Sequence, residues 1–456
     1  MHLSERTHIQ LRPNNGTLRD AELLKAWMAA SFEPEACKRA LDQWLTRHQY
    51  PKSWFDVSAI DVGGLVASEE LLFPTVRSDW EWRMVTARRI VCASLPEEAV
   101  CDVATVIRAL PHVKELPEFL AQCGEAFDAP IQSALSSAFT DARTFGTWPE
   151  ANEPGIYRRE HASLILSSRR TRLVVDPQCL QGSWTTNFGA FPIDHSPSAD
   201  AVLITHGHGD HWHLPSTLRF CRDDTCVIVP EVPRVNLLCD EDFSSSLSAA
   251  KQRHCVLPWN TSIKVGDFEI RALPFLGEQP TRHERIVPDG LRNWGNCYRV
   301  QCPSYSALVL ADSGGDPLGE MRDVVSDNVK EFGKVDAIFS CCLSFPEMIN
   351  LGLASYFLTI PFRRLREIHA ERKFGKAVSI TSGIDGVAEL CAVAGAKYFL
   401  PYAHGFEGLK KPIEQQNLTH IGSEAQLMTK LEGALVRFGA TTSVIRWNPG
   451  DYFCIS

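Results

Sequence analysis

No stretch of this chain approaches the roughly 18 consecutive apolar residues that a membrane-spanning helix needs. The opening Met1-His2-Leu3-Ser4-Glu5-Arg6 also lacks the apolar core of a signal peptide, so the sequence reads as cytoplasmic and free of the membrane. Positive charge is scarce: 46 Lys and Arg stand against 55 Asp and Glu, a formal net charge of -9. That balance leaves no electrostatic footprint for nucleic acid. The 15 cysteines are scattered, with one adjacent pair, Cys341-Cys342, and without a Cys-x-x-Cys knuckle or a small disulfide framework. They read as reduced, buried, small apolar residues. Gly-rich phosphate cradles, arginine clusters, internal repeats and low-complexity stretches are missing too, and a nucleotide substrate finds no support.

What is present is an ordinary globular composition, 44% hydrophobic and 22% charged, in a chain of 456 residues, long enough for two domains with full cores. Residues 1–150 have a helical texture. Leu23, Leu24, Trp27 and Met28 recur at helical spacing, as do Leu41, Trp44 and Leu45. Ser94-Leu95-Pro96-Glu97 reads as a capping box before Val100, Val103, Ala104 and Ile107, and helical patterns continue over Pro117–Cys123 and Ile131–Phe139. Trp27, Trp44, Trp54, Trp80 and Trp82 read as core aromatics, with a binding surface as the other option. This half is expected to be a mainly helical N-terminal domain for dimerisation or for closing a lid. Thr144 to Gly155, with its glycines and prolines, is the expected linker.

From residue 156 to 456 the texture is that of an α/β catalytic domain. The apolar run Ala201-Val202-Leu203-Ile204 reads as a buried strand, and it delivers the loop Thr205-His206-Gly207-His208-Gly209-Asp210-His211 to a sheet edge. In an extended or turning segment His206 and His208 point the same way, while Asp210 and His211 sit one turn further on and can face a second ion. Imidazole suits zinc and iron, and a carboxylate adds charge and hard oxygen. Four candidate ligands within six residues are hard to explain as a mere polar turn.

His206-x-His208-x-Asp210-His211 resembles the signature of the metallo-β-lactamase-like superfamily. The resemblance implies an αββα sandwich with a dinuclear metal centre at one sheet edge and three further ligands downstream. Arg172-Leu173-Val174-Val175-Asp176-Pro177 is similar to the second strand of that fold, and Asp176 is placed either to orient a ligand of the central loop or to cap its own strand. After the strands of Ser262–Leu273 the superfamily normally offers a histidine. Here the chain reads Leu276-Gly277-Glu278-Gln279-Pro280-Thr281-Arg282-His283. Glu278 stands in the histidine's place, and His283 five residues on is its rival. Ala307–Ala311 followed by Asp312-Ser313-Gly314-Gly315 is similar to the fourth motif, which implies that Asp312 bridges both metals. Gly395–Leu400 followed by Pro401-Tyr402-Ala403-His404 is similar to the fifth, which implies His404 as the last ligand.

The ligand set so implied is His206, His208 and Glu278 on one metal and Asp210, His211 and His404 on the other, with Asp312 between them. A carboxylate at the third motif makes the site harder and more anionic, which favours iron or manganese over zinc. In that respect the chain resembles the diiron oxygenases of the superfamily. The resemblance implies a dinuclear iron oxygenase that takes dioxygen as co-substrate and draws on an electron donor. Its substrate would be small, such as an amino acid or a carrier-protein-bound aminoacyl group of a biosynthetic pathway. The alternative is a zinc- or manganese-dependent hydrolase acting on a lactone, amide or phosphoester, to be preferred if His283 is the ligand. Pro361-Phe362-Arg363-Arg364-Leu365-Arg366 reads equally as a solvated helix face or as a docking patch for an acidic carrier.

Overall fold

The computed structural model describes residues 2–3, 8–13, 20–55, 69–73, 79–85, 90–110, 116–123, 132–133, 139–140, 154–159, 161–178, 198–284, 290–347, 358–404 and 424–455. Two seven-stranded sheets dominate it. The first runs, in spatial order, His254–Leu257, Cys226–Pro230, Ala201–Leu203, Arg172–Val175, Leu164–Ser167, Gly155–Arg158 and Tyr452–Phe453. The second runs Ser262–Val265, Phe268–Pro274, Asn296–Gln301, Ser306–Ala311, Ala337–Ser340, Tyr398–Pro401 and Ser443–Val444.

Both faces of the first sheet are apolar, and the period-two alternation of side chains divides them between two cores. Leu164, Leu166, Leu173 and Val175 point into the core shared with the second sheet, where they meet Ile270, Val300, Leu308 and Ile338. Ile165, Val174 and Val202 point the other way, onto Leu214, Phe243 and Val100. The helices Met321–Phe332, Gly383–Ala394 and Glu424–Arg437 cover the far face of the second sheet through Val325, Val387 and Leu431. The result is the expected αββα sandwich.

Helices make up most of the regular structure described before residue 150, but a three-stranded antiparallel sheet, His8–Pro13, Asp79–Val85 and Ile90–Pro96, lies among them. Helical spacing does not reveal it, although Trp80, Trp82 and Met84 alternate with Glu81 and Arg83 as a strand requires. The capping box expected at Ser94 does not form. Ser94 pairs with Glu81 in this sheet, and the helix starts at Glu97 behind Pro96 with no side-chain cap, so tertiary pairing overrides the local signal. Trp27, Trp44, Trp80 and Trp82 are buried, in keeping with their core reading. Of the expected linker, residues 144–153 lie outside the described residues, as does most of 131–139. Among the described residues no helix is long and apolar enough to cross a membrane.

The strands Arg172–Val175, Ala201–Leu203, Cys226–Pro230 and His254–Leu257 run parallel, as do Ser306–Ala311, Ala337–Ser340 and Tyr398–Pro401. Their carboxyl ends open on one edge of the sandwich, which is where an α/β sheet leaves room for a ligand.

Candidate metal centre

Asp176, at the end of its strand, organises the edge from a fully buried position. One carboxylate oxygen accepts the Thr205 N–H at 2.7 Å; the other accepts the Thr205 hydroxyl at 2.6 Å and the Tyr402 hydroxyl at 2.9 Å, and lies 2.8 Å from His211 Nδ1. Orienting a ligand and closing the strand end are therefore one task here. With its Nδ1 proton held by Asp176, His211 turns Nε2 towards Asp312 Oδ2, 2.9 Å away. Burial opposes a positive charge on His211, but Asp312 and the bond to Asp176 outweigh it and hold its pKa well above the ordinary value.

His206 stacks on Phe275, ring centroids 4.8 Å apart, with Nδ1 3.0 Å from the Thr205 hydroxyl oxygen. Burial and the neighbouring His211 and His208 push its pKa well down, so it is neutral and fit to ligate. Its Nε2 converges with His208 Nδ1 at 3.0 Å and Glu278 Oε2 at 3.1 Å; the last two lie 2.7 Å apart. Burial lowers the His208 pKa, but the Glu278 carboxylate more than reverses this.

Glu278 owes its place to the backbone before it. Gly277 has φ +111°, and a Cβ there would come within 2.5 Å of the Gly314 nitrogen, so only glycine lets the third loop pass beneath the Asp312 turn. Gly277 N–H donates to Asp316 Oδ2, which Arg292 grips at 2.5 Å while also donating to Phe275 O. Glu278 is 3% exposed; its rival His283 is exposed and lies in none of the converging groups.

Among the described residues three sets of donors fall within 4.8 Å of one another: His206, His208 and Glu278; His206, His211 and Asp312; and His161, Asp210 and His211. Six of the seven expected ligands are thus brought to one edge, with Asp312 and the histidines between two positions. His404 is not in these sets. His161, which precedes the strand Leu164–Ser167, carried no local motif, and only sheet order brings it here. Asn293 is a second residue that spacing could not reveal; it is buried and lies 3.1 Å from His208 Nε2.

The donors fit metal ions. Asp312 Oδ1 is buried without a hydrogen-bond partner, beside imidazoles at least one of which is neutral, an arrangement that proteins satisfy with a cation. Two imidazoles and a carboxylate converging on one point are a transition-metal donor set. Residues 69–73 of the N-terminal half pack against the catalytic half. Leu237 N–H donates to Leu72 O, and the Arg234 guanidinium lies 3.9 Å from the Phe73 ring centroid.

Residues 171–295 match the family model of the β-lactamase superfamily domain. Among solved structures, CmlA, a diiron beta-hydroxylase from Streptomyces venezuelae, is similar over 99% of both chains, with a TM-score of 0.63 at 14% identity. A mutant of CmlA beta-hydroxylase is similar over 98% of both, with a TM-score of 0.60 at 15% identity. Isothiocyanate hydrolase from Delia radicum gut bacteria covers 66% of this chain and 98% of its own, with a TM-score of 0.43 at 12% identity. No curated protein sequence matches the chain.

Proposed function

From the premise that this chain carries the metallo-β-lactamase fold with metal donors gathered at its sheet edge, we propose that it is a dinuclear metal-dependent enzyme, and specifically a diiron oxygenase. Its reaction would be the hydroxylation or oxidation of a small substrate, such as an amino acid or a carrier-protein-tethered aminoacyl group in a biosynthetic pathway. The observation that carries the reading is Glu278, buried and 2.7 Å from His208 and 3.1 Å from His206 where a third-motif histidine would otherwise stand. A carboxylate there adds negative charge and hard oxygen, which suits iron better than zinc. The whole-length likeness to a structure described as a diiron beta-hydroxylase supports the same reading.

Reduced iron would bring to this edge the capacity to activate dioxygen, with further electrons from an external donor. The chain's own residues do the rest. His206, His208 and Glu278 would hold one ion; Asp210, His211 and His404 the other, with Asp312 between. Asp176 keeps the proton of His211 on Nδ1 and so leaves Nε2 for metal. Phe275, fully buried and stacked on His206, keeps water from that side of the site.

The alternative reading, a zinc- or manganese-dependent hydrolase of a lactone, amide or phosphoester, uses the same donors without a reductant. Oxygen uptake separates the two. Protein loaded anaerobically with two ferrous ions should consume dioxygen on mixing and, once rereduced, consume it again. Stable ferrous protein under air, together with hydrolysis of a lactone or phosphoester by the zinc form, would overturn the oxygenase.

A further inference from the structure

We propose that Asn293 is a positioning residue for the metal centre: its side-chain amide oxygen accepts the Nε2–H of His208 when His208 Nδ1 holds a metal ion. The inference rests on His206, His208 and Glu278 forming a metal position, but not on iron or dioxygen.

Each imidazole of the central loop has one nitrogen turned to the converging donors and one turned away. His206 and His211 converge through Nε2, and their Nδ1 atoms meet the Thr205 hydroxyl at 3.0 Å and Asp176 at 2.8 Å. His208 is turned the other way round. Its Nδ1 lies 2.7 Å from Glu278 Oε2 and 3.0 Å from His206 Nε2, so its outward nitrogen is Nε2, which Asn293 faces at 3.1 Å. An imidazole that gives Nδ1 to a metal carries its remaining proton on Nε2, and ligand histidines depend on an outer acceptor of that proton for their orientation and basicity. The atom 3.1 Å away is Nδ2, while Asn293 Oδ1 is buried without a hydrogen-bond partner. Half a turn about χ2 exchanges the two amide atoms without changing the shape of the side chain, and brings the unpaired oxygen to the Nε2–H.

The backbone around Asn293 fixes it in this place. Its N–H donates to Gln279 Oε1 at 2.9 Å and its carbonyl accepts from Gln279 Nε2 at 2.9 Å, so the residue next to Glu278 grips both of its main-chain polar groups. Further on, the chain runs alongside the central loop: Asn296 N–H donates to Thr205 O at 2.7 Å, and Gly295 forms a bridge with His206. Only glycine permits that approach, since a Cβ at 295 would lie 2.8 Å from both His206 Cβ and Thr205 O. On the other side, Asn236 Nδ2 donates to Arg292 O at 3.1 Å. The short segment 292–296 thus ties the loop of the carboxylate ligand to the loop of the histidine ligands, and Asn293 is where that tie reaches an imidazole.

The test is zinc binding and histidine NMR on the full-length, metal-stripped protein with nitrogen-15 in its histidines. In zinc-loaded wild type, His208 should show a metal-bearing Nδ1 and a slowly exchanging Nε2–H, assigned by its loss in His208→Gln; this signal needs no variant of Asn293 to fold. Asn293→Leu, of similar volume but unable to accept, should weaken the ion at His208 by about 10- to 100-fold and let the Nε2–H exchange fast, with the ion at His211 unchanged. Asn293→Asp, which accepts but cannot donate, should bind that ion at least as tightly as wild type and move the Nε2–H resonance downfield through a charge-assisted bond. Packing alone would not give that rescue. An Nε2 without a proton in loaded wild type, unchanged affinity in Asn293→Leu, or an Asn293→Asp that folds by circular dichroism yet binds as weakly as Asn293→Leu overturns the assignment. Wild type that takes up a single ion with the His208 signature intact overturns the dinuclear reading alone, and wild type that takes up none overturns both.

Discussion

At the scale of single residues, Asp176 is the centre's silent partner: it touches no expected ion position, yet fixes Thr205, His211 and Tyr402 at once. Asp176→Asn keeps the shape but offers one acceptor fewer, so the tautomer of His211 is no longer enforced. Affinity for the ion at His211 should drop by about 10- to 100-fold, measured by competition with a chelator; unchanged affinity would contradict this role. Glu278→His should tilt the metal preference towards zinc in a two-metal competition read by elemental analysis. If iron still wins, the carboxylate is not what selects it. The four ligands of the central loop were legible because they fall within six residues behind one strand. Glu278 was legible only by its position after a strand, and burial is what separates it from His283. His161 was not legible, since 49 residues part it from Asp210 and only the pairing of Leu164–Ser167 with Arg172–Val175, and of that strand with Ala201–Leu203, joins them.

At the scale of elements, strand ends position the ligands and the opposite ends of the same strands are tied together. Asp336 Oδ2 accepts the Ser306 N–H at 2.9 Å and the Ser306 hydroxyl at 3.1 Å, and its Oδ1 pairs with Lys397 at 2.8 Å. One carboxylate thus staples the starts of three parallel strands of the second sheet. Burial works against its charge, but Lys397 and Ser306 outweigh this and lower its pKa. A lowered pKa means that the folded state gains stability while the carboxylate is ionised. The gain is fully present above the unfolded-state value of about 3.9 and is lost as pH falls through the lower folded value. Asp336→Ala should therefore cost about 1–3 kcal/mol in urea unfolding at neutral pH, with the gap to wild type closing in acid below about pH 4. A gap that stays constant with pH would mean that the staple does not act through its charge. Strands such as Ala201–Leu203 and Ser306–Ala311 were legible to within a residue because their apolar runs are bounded by turn-forming residues. The N-terminal sheet was missed because its alternation is masked by helical neighbours and, although Asp79–Val85 and Ile90–Pro96 pair locally, its third strand lies some seventy residues away.

At the scale of the whole molecule, the N-terminal half has no core of its own among the described residues. Trp80, Trp82 and Val103 share one with Val174 and Val202 of the first sheet; Trp27 and Leu41 share another with Phe362 and Ile368 of the catalytic half, the Trp27 and Phe362 rings meeting edge-on at 5.7 Å. Its removal would bare an apolar face of the first sheet far larger than a soluble chain tolerates. A chain starting at residue 154 should aggregate or unfold without cooperativity when followed by circular dichroism, whereas a soluble, cooperatively folding fragment would show the two halves to be independent. Dimerisation of the full chain, proposed as one role for this half, would be read from its mass in solution by light scattering.

A pair of irons, one of them held by Glu278, is tested most directly by metal content read together with redox behaviour. Protein purified after growth in iron-rich medium should contain close to two irons per chain. Its Mössbauer spectrum should show a coupled ferric pair that reduces to the diferrous state and reoxidises in air. Two tightly held zinc ions, retained despite abundant iron and silent to reduction and oxygen, would contradict the account.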